Sequence, residues 1–295
     1  MGVRLWNALN SDNWRAREAA TKAYLQFITQ ESGLPPKYKE DNTKHIFATT
    51  CELAMIALND KLQQIMLEGL KILFEALTPK ICGGDISPKV VDRTIKPFIY
   101  LLLDKVCELT YRGRELTLGY FYALFRHPAV DIKHAIDAIM AVTKSGKGPI
   151  EKAPWRQIAA RLDVLNGLIG EFGIDEDVWQ WWTVYNKLVA PSYGHSNPDV
   201  RLLAMESTMM MYRKVGPVII DVINKGPSIK PTVKSHLIKR MDDEAPSLGF
   251  PTSKKPKSAA RGKSRSGSRS PERGFVGKSL EQVKEEDEQR EATPA

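Results

Sequence analysis

The chain has 295 residues, 42% of them hydrophobic, enough for one large core or a solenoid of several units. Three cysteines, Cys51, Cys82 and Cys107, lie far apart with no CxxC pair, which argues against a disulfide framework or a zinc site and predicts a reducing, intracellular compartment. The net charge of +8 is unevenly spread, and no run approaches the roughly 18 apolar residues that a membrane helix needs; the first apolar stretch, broken by Arg4, Asn7, Asn10 and Asp12, has no signal-peptide core.

In chain order the apolar pattern predicts helices almost throughout residues 1–244. Ala16, Ala20, Tyr24, Leu25 and Ile28 form a helical stripe. Ile65, Leu67, Leu70, Ile72, Leu73, Phe74 and Leu77 predict a helix buried on most sides, as the inner helix of a stack is. No useful length alternates with period two, so no strand is expected. Breakers fall at Pro35-Pro36, Gly83-Gly84, Ser87-Pro88, His127-Pro128, Gly146 to Pro149, Asn197-Pro198 and Gly226-Pro227. Two of them also start a helix correctly, with a cap residue before a proline at the first helical position. The helices then pair as 2–10 with 12–30, 42–58 with 61–78, 88–107 with 113–126, 129–143 with 154–172, 176–192 with 199–215, and 217–224 with 229–241.

A degraded element recurs along these pairs. Ala16-Arg17-Glu18-Ala19-Ala20 returns as Ile65 to Gly69 (without the arginine), Gly113 to Thr117, Trp155-Arg156-Gln157-Ile158-Ala159, and Val200 to Ala204. Its closing small residues, at 20, 69, 117, 159 and 204, are 49, 48, 42 and 45 apart by subtraction. Spacing of about 40–47 is that of paired-helix HEAT or armadillo units. The expected fold is therefore all-α: an α-solenoid of about six HEAT-like pairs, whose intra-repeat turns line up along one edge. Such a fold presents a surface more readily than it encloses a pocket.

From Ala245 the periodicity stops, so the chain divides into a helical domain at 1–244 and a tail at 245–295. Between Lys254 and Gly274 eight Lys/Arg face the single Glu272, whereas Phe275 to Ala295 is acidic. A segment of this composition cannot bury enough apolar area to order itself, and disorder is expected. The tract can attract an acidic protein surface by charge or bind RNA as an Arg/Ser-rich arm. Phosphorylation at Ser270, before Pro271, would subtract charge from it.

Catalytic chemistry is hard to find. The five histidines form no i, i+4 pair and no Cys/His cluster. Ser145-Gly146-Lys147-Gly148 lacks the first glycine of a phosphate loop and no strand precedes it. Gly167, Gly170 and Gly173 on a helix predict close packing, not dinucleotide binding. Asp175-Glu176-Asp177 precedes an aromatic helix and is expected to cap it. No enzyme activity, cofactor or metal is expected.

The turn edge carries more signal. Trp14 falls at a turn by register, where it either projects as a partner-binding aromatic or tucks back onto the first helix beside Trp6. Lys61, Arg112, Arg114, Lys144, Lys147, Lys152 and Arg201 make the same edge basic, while Arg17 and Arg156 are expected to bond neighbouring turns within the stack.

Ser11-Asp12-Asn13-Trp14-Arg15-Ala16-Arg17-Glu18-Ala19-Ala20 resembles the opening of a TOG domain, the six-HEAT-repeat module that binds αβ-tubulin. Asn197-Pro198-Asp199-Val200-Arg201 resembles its fifth turn. Val91 to Pro97 and Ala160 to Arg213 are similar to the TOG domains of the 104-kilodalton centrosomal protein family of ciliary tips. The resemblance implies a TOG paddle over about residues 1–241 that binds tubulin or microtubules, with Trp14 and Arg201 as principal contacts and Lys61, Arg112, Lys144 and Lys147 in support. It also implies a cytoplasmic, cytoskeletal location at a cilium or centrosome, with other ciliary or centrosomal proteins as further partners and no membrane. Two other readings remain open: a generic HEAT scaffold gripping a partner peptide, and an RNA-associated protein acting through its tail.

Overall fold

A computed structural model describes residues 2–30, 43–82, 86–108, 111–141, 154–226 and 229–251. Among them there is no strand, and no helix long and apolar enough to cross a membrane. The helices fall into six successive pairs: α1 (Gly2–Leu9) with α2 (Trp14–Thr29), α3 (Thr43–Leu58) with α4 (Gln63–Ala76), α5 (Pro88–Glu108) with α6 (Tyr111–Leu124), α7 (Lys133–Met140) with α8 (Trp155–Phe172). The fifth pair joins α9 (Trp181–Val184), a π turn (Tyr185–Val189) and α10 (Ala190–Ser192) to α11 (Pro198–Val215), and the sixth is α12 (Val218–Lys225) with α13 (Pro231–Leu248). This is the expected α-solenoid.

One buried cluster runs from Ile28 to Ala245, and a smaller one of Leu9, Ala20 and Leu53 closes the first pair. Small residues set how closely the helices approach. A Cβ on Gly69 of α4 would stand 2.9 Å from both the Ala57 Cβ and the Leu58 backbone nitrogen of α3. Gly167 of α8 leaves room for the Tyr122 phenol of α6, and a Cβ on Gly170 would stand 3.4 Å from the Met210 methyl of α11. Gly173, with φ +77°, ends α8 and has no close neighbour. Gly167 and Gly170 thus serve packing as expected, whereas Gly173 is a helix stop.

Three segments depart from expectation. Helix α9 begins at Trp181, not 176, because residues 175–180 make a turn and an extended step that bury Trp179 and Trp181. The acidic cluster serves that turn rather than capping a helix: the Asp175 carboxylate accepts the Asp177 amide, and Glu176 accepts the Trp181 indole N–H at 2.7 Å. Helix α7 starts at Lys133, later than the expected 129, after an Asp131 side-chain turn that accepts the Lys133 amide. At the other end α13 passes the expected boundary at 244 and carries buried Ala245 through to Leu248. Pro246 does not end it, since a proline in the last turn forfeits only one hydrogen bond. The stop comes at Gly249 (φ +73°), where the Phe250 amide donates to the Ala245 carbonyl and the Gly249 amide to the Pro246 carbonyl in a Schellman cap. The Phe250 ring then packs edge-on against Tyr212.

Candidate functional site

The second helices of successive pairs run parallel. Arg17 near the start of α2 pairs with Asp60 just ahead of α4, and Lys80 beyond the end of α4 donates to the Ile28 and Gln30 carbonyls at the end of α2. Arg126 after α6 pairs with Glu171 near the end of α8, and Arg213 near the end of α11 with Glu244 near the end of α13. Parallel second helices bring their N-termini, and the turns that feed them, to a common edge.

Each turn is built by its own residues. Asn13 caps α2 by accepting the Arg15 amide, and Asn197 caps α11 by accepting the Asp199 and Val200 amides. Four positions after each cap stands an arginine that reaches back over the turn. The Arg17 Nη1 donates to the Ser11 and Asp12 carbonyls at 2.9 and 3.1 Å; the Arg201 Nη1 donates to the His195 and Ser196 carbonyls at 2.8 and 2.7 Å. These carbonyls precede a helix and have no ladder partner, so a guanidinium is a fitting clamp. Arg17 also bonds Asp60 at 2.6 Å, which links the first turn to the second. Burial would raise the Asp60 carboxyl, but the Arg17 guanidinium and the Leu62 amide outweigh it and hold Asp60 below the usual carboxylate range. Arg114 continues the series by pairing with Asp163 at 2.5 Å. Arg201 has no carboxylate partner among the described residues.

Trp14 is the first residue of α2 and is 41% exposed. It is not among the side chains packed against either core cluster. The Arg15 guanidinium lies over its ring, 5.4 Å from the centroid. Part of the Trp14 ring is therefore open to solvent at the first turn. Lys61 is exposed in its turn, and Arg112 is exposed in the first turn of α6, which begins at Tyr111 and not at the expected 113. Lys144 and Lys147, and Ser270 in the tail, lie outside the described residues.

No protein-family model matches the chain, and no characterised protein sequence does. Solved structures do. The TOG3 domain of Drosophila melanogaster Mini spindles aligns with a TM-score of 0.59 at 17% identity, covering 83% of this chain and 94% of that one. The TOG domain of human Cep104 aligns with a TM-score of 0.63 at 17% identity, over 83% of this chain and 90% of its own. A further Cep104 TOG structure gives 0.63 and 17%, over 82% and 91%. The chain has the TOG fold.

Within that fold, one expectation about the edge is corrected. Among the described residues, no hydrogen bond joins Arg156 to a neighbouring turn. It is exposed, and its guanidinium lies 5.4 Å from the centroid of the Trp155 ring. Trp155 opens α8 just as Trp14 opens α2, so the fourth copy of the repeat was set two residues out of register. Counted from the caps Asn13 and Pro154, Arg17 corresponds to Ile158, and the fourth pair places its buried arginine deeper, at 161. Arg161 is 4% exposed and donates to the Ala141 carbonyl at 2.9 Å, tying down the end of α7; burial lowers its pKa. The signal for Trp155 was present in the sequence: Trp-Arg occurs only at 14–15 and 155–156.

The thiols offer no reactive group. Burial pushes Cys51 up to about 12 and Cys107 up to about 11, so both stay protonated at neutral pH.

Proposed function

We propose that this chain binds αβ-tubulin, free or in the microtubule, through the turn edge of its TOG fold, in a cytoskeletal setting such as a cilium or centrosome. Trp14 is the principal contact, with Arg201, Lys61 and Arg112 supplying charge around it. The observation that carries the reading is Trp14 itself: a large aromatic standing outside both cores on a basic edge, stacked with a cation. Aromatic and arginine side chains of this kind dominate protein interfaces. The resemblance of residues 11–20 and 197–201 to a tubulin-binding module, together with the TOG fold over most of the chain, supports tubulin as the partner. An acidic surface complements the charge of Arg201, Lys61 and Arg112, none of which has a carboxylate partner among the described residues. Arg201 then acts twice, with Nη1 holding the fifth turn and the rest of the guanidinium available to the partner.

The test is co-migration of the full chain with purified tubulin in size exclusion. Trp14→Glu is expected to abolish the complex, a loss of about 2 kcal/mol or more for an interface anchor, while circular dichroism and the melt stay as in the parent. Unchanged co-migration of Trp14→Glu would contradict the assignment.

A further inference from the structure

We propose that Trp155 and Arg156 form a second anchor on the turn edge, engaging the same tubulin surface as Trp14 and Arg15; this rests on the tubulin reading above. The two sites share an exposed tryptophan with an arginine over its ring. Each tryptophan is the first residue of a second helix, and each is about two-fifths exposed, 41% for Trp14 and 42% for Trp155. Each arginine follows it directly and lies over the ring at 5.4 Å. Neither tryptophan belongs to the buried core, and both leave part of the ring open to solvent at the start of a helix.

Charge distinguishes these arginines from the structural ones. Arg17 and Arg114 are each joined to a carboxylate of the next pair. Among the described residues, neither Arg15 nor Arg156 has a carboxylate partner. A guanidinium resting on an indole keeps its in-plane N–H donors free for a partner's carboxylates, and the ring restrains it before binding, so less freedom is lost on contact. The arrangement fits an acidic protein surface with enough apolar area to meet an indole.

Both anchors can reach one partner. Helices α2 and α8 are separated by α4 and α6, three steps of about 8–10 Å along the stack, hence at most about 30 Å. A standard interface of about 800 Å² on each side is roughly 30 Å across. The two stacks therefore sit at opposite margins of one such footprint, with Lys61 and Arg112 between them in chain order. A partner gripped at both ends is fixed in orientation as well as in place.

The experiment is a titration of fluorescent αβ-tubulin dimer with the full chain and with Trp14→Ala, Trp155→Ala, Arg156→Glu and the double Trp14→Ala/Trp155→Ala variant. Trp155→Ala is expected to weaken binding about tenfold or more, and the double variant to lose more than either single. Arg156→Glu is expected to weaken binding most at low salt, where exposed charges are least screened. If Trp155→Ala and Arg156→Glu both bind like the parent while Trp14→Ala is weakened, the second anchor is wrong and the tubulin reading stands. No binding by the parent chain overturns both. Should Trp155→Ala lower the melting temperature, Arg156→Glu decides, because its side chain is exposed and unpaired with any described acid.

Discussion

At the scale of single residues, the edge is maintained by side chains that bond backwards. Arg17 and Arg201 hold the carbonyls of their own turns, and Asp60 ties two turns together. Because Asp60 is held below the usual carboxylate range, its contribution is complete above the ordinary carboxylate pKa of about 4 and disappears as pH falls through its lower folded value. Asp92 acts in the same window: burial would raise it, but hydrogen bonds from His134 and the Asp131 amide bring it below its ordinary value. Asp60→Asn is therefore expected to be less stable than the parent at neutral pH and to lose less stability on acidification. Urea midpoints measured from about pH 6 down to pH 2 check this; an acid limb of unchanged steepness would count against the role of Asp60. Gly69 is a packing case. Alanine there gains about 1 kcal/mol of helix preference but meets Ala57 and the Leu58 backbone at 2.9 Å. Overpacking costs about 1–3 kcal/mol, and backbone cannot swing aside, so Gly69→Ala is expected to lower the melting temperature by a few degrees.

What could be read in advance at this scale followed a physical rule. Ser196 or Asn197 before Pro198 reads as a cap, which places the start of α11, and register with Pro198 assigns Trp14 to a turn; the Asn13 cap itself is seen only in the structure. Trp155 could not be placed in the same way, because Pro154 provides no side-chain cap bond. The repeat was aligned on an arginine followed by a small residue, and Arg156 with Ala159 satisfied that frame better than Ile158 with the buried Arg161.

At the scale of elements, most helices lay where apolar periodicity put them, and the misses share a cause. Residues 175–181 carry tryptophans at 179 and 181 that belong equally to a helix buried on most sides or to alternate positions of an extended segment; only packing decides between them. The end of α13 is hidden because the apolar periodicity fades at Ala245, although the helix runs on to Leu248. Its contacts lead to a prediction about length. A fragment ending at 244 lacks Ala245, the Schellman cap and the Phe250 ring on Tyr212, whereas one ending at 251 retains them. The shorter fragment is expected to be less stable by about 2 kcal/mol, roughly the burial of one aromatic side chain. Equal melts for the two would mean that the cap and Phe250 contribute nothing.

At the scale of the whole molecule, the solenoid turns a chain of local pairs into a single row of helix N-termini. Its first-turn amides have no partner within their own helices, so they exchange readily unless something covers them. The core legible in the sequence gathers the turns on one edge; the partner surface proposed there uses residues outside the buried core, and apolar periodicity reports on the core and not on them. The central claim is that tubulin covers this row. Hydrogen–deuterium exchange of the full chain with and without saturating αβ-tubulin measures that directly. The account predicts new protection in peptides spanning residues 10–17, 59–65, 111–115, 155–159 and 195–201, with little change at the opposite ends of the same helices. Protection confined to those opposite ends, or none anywhere on the turn row while tubulin is bound, would contradict it.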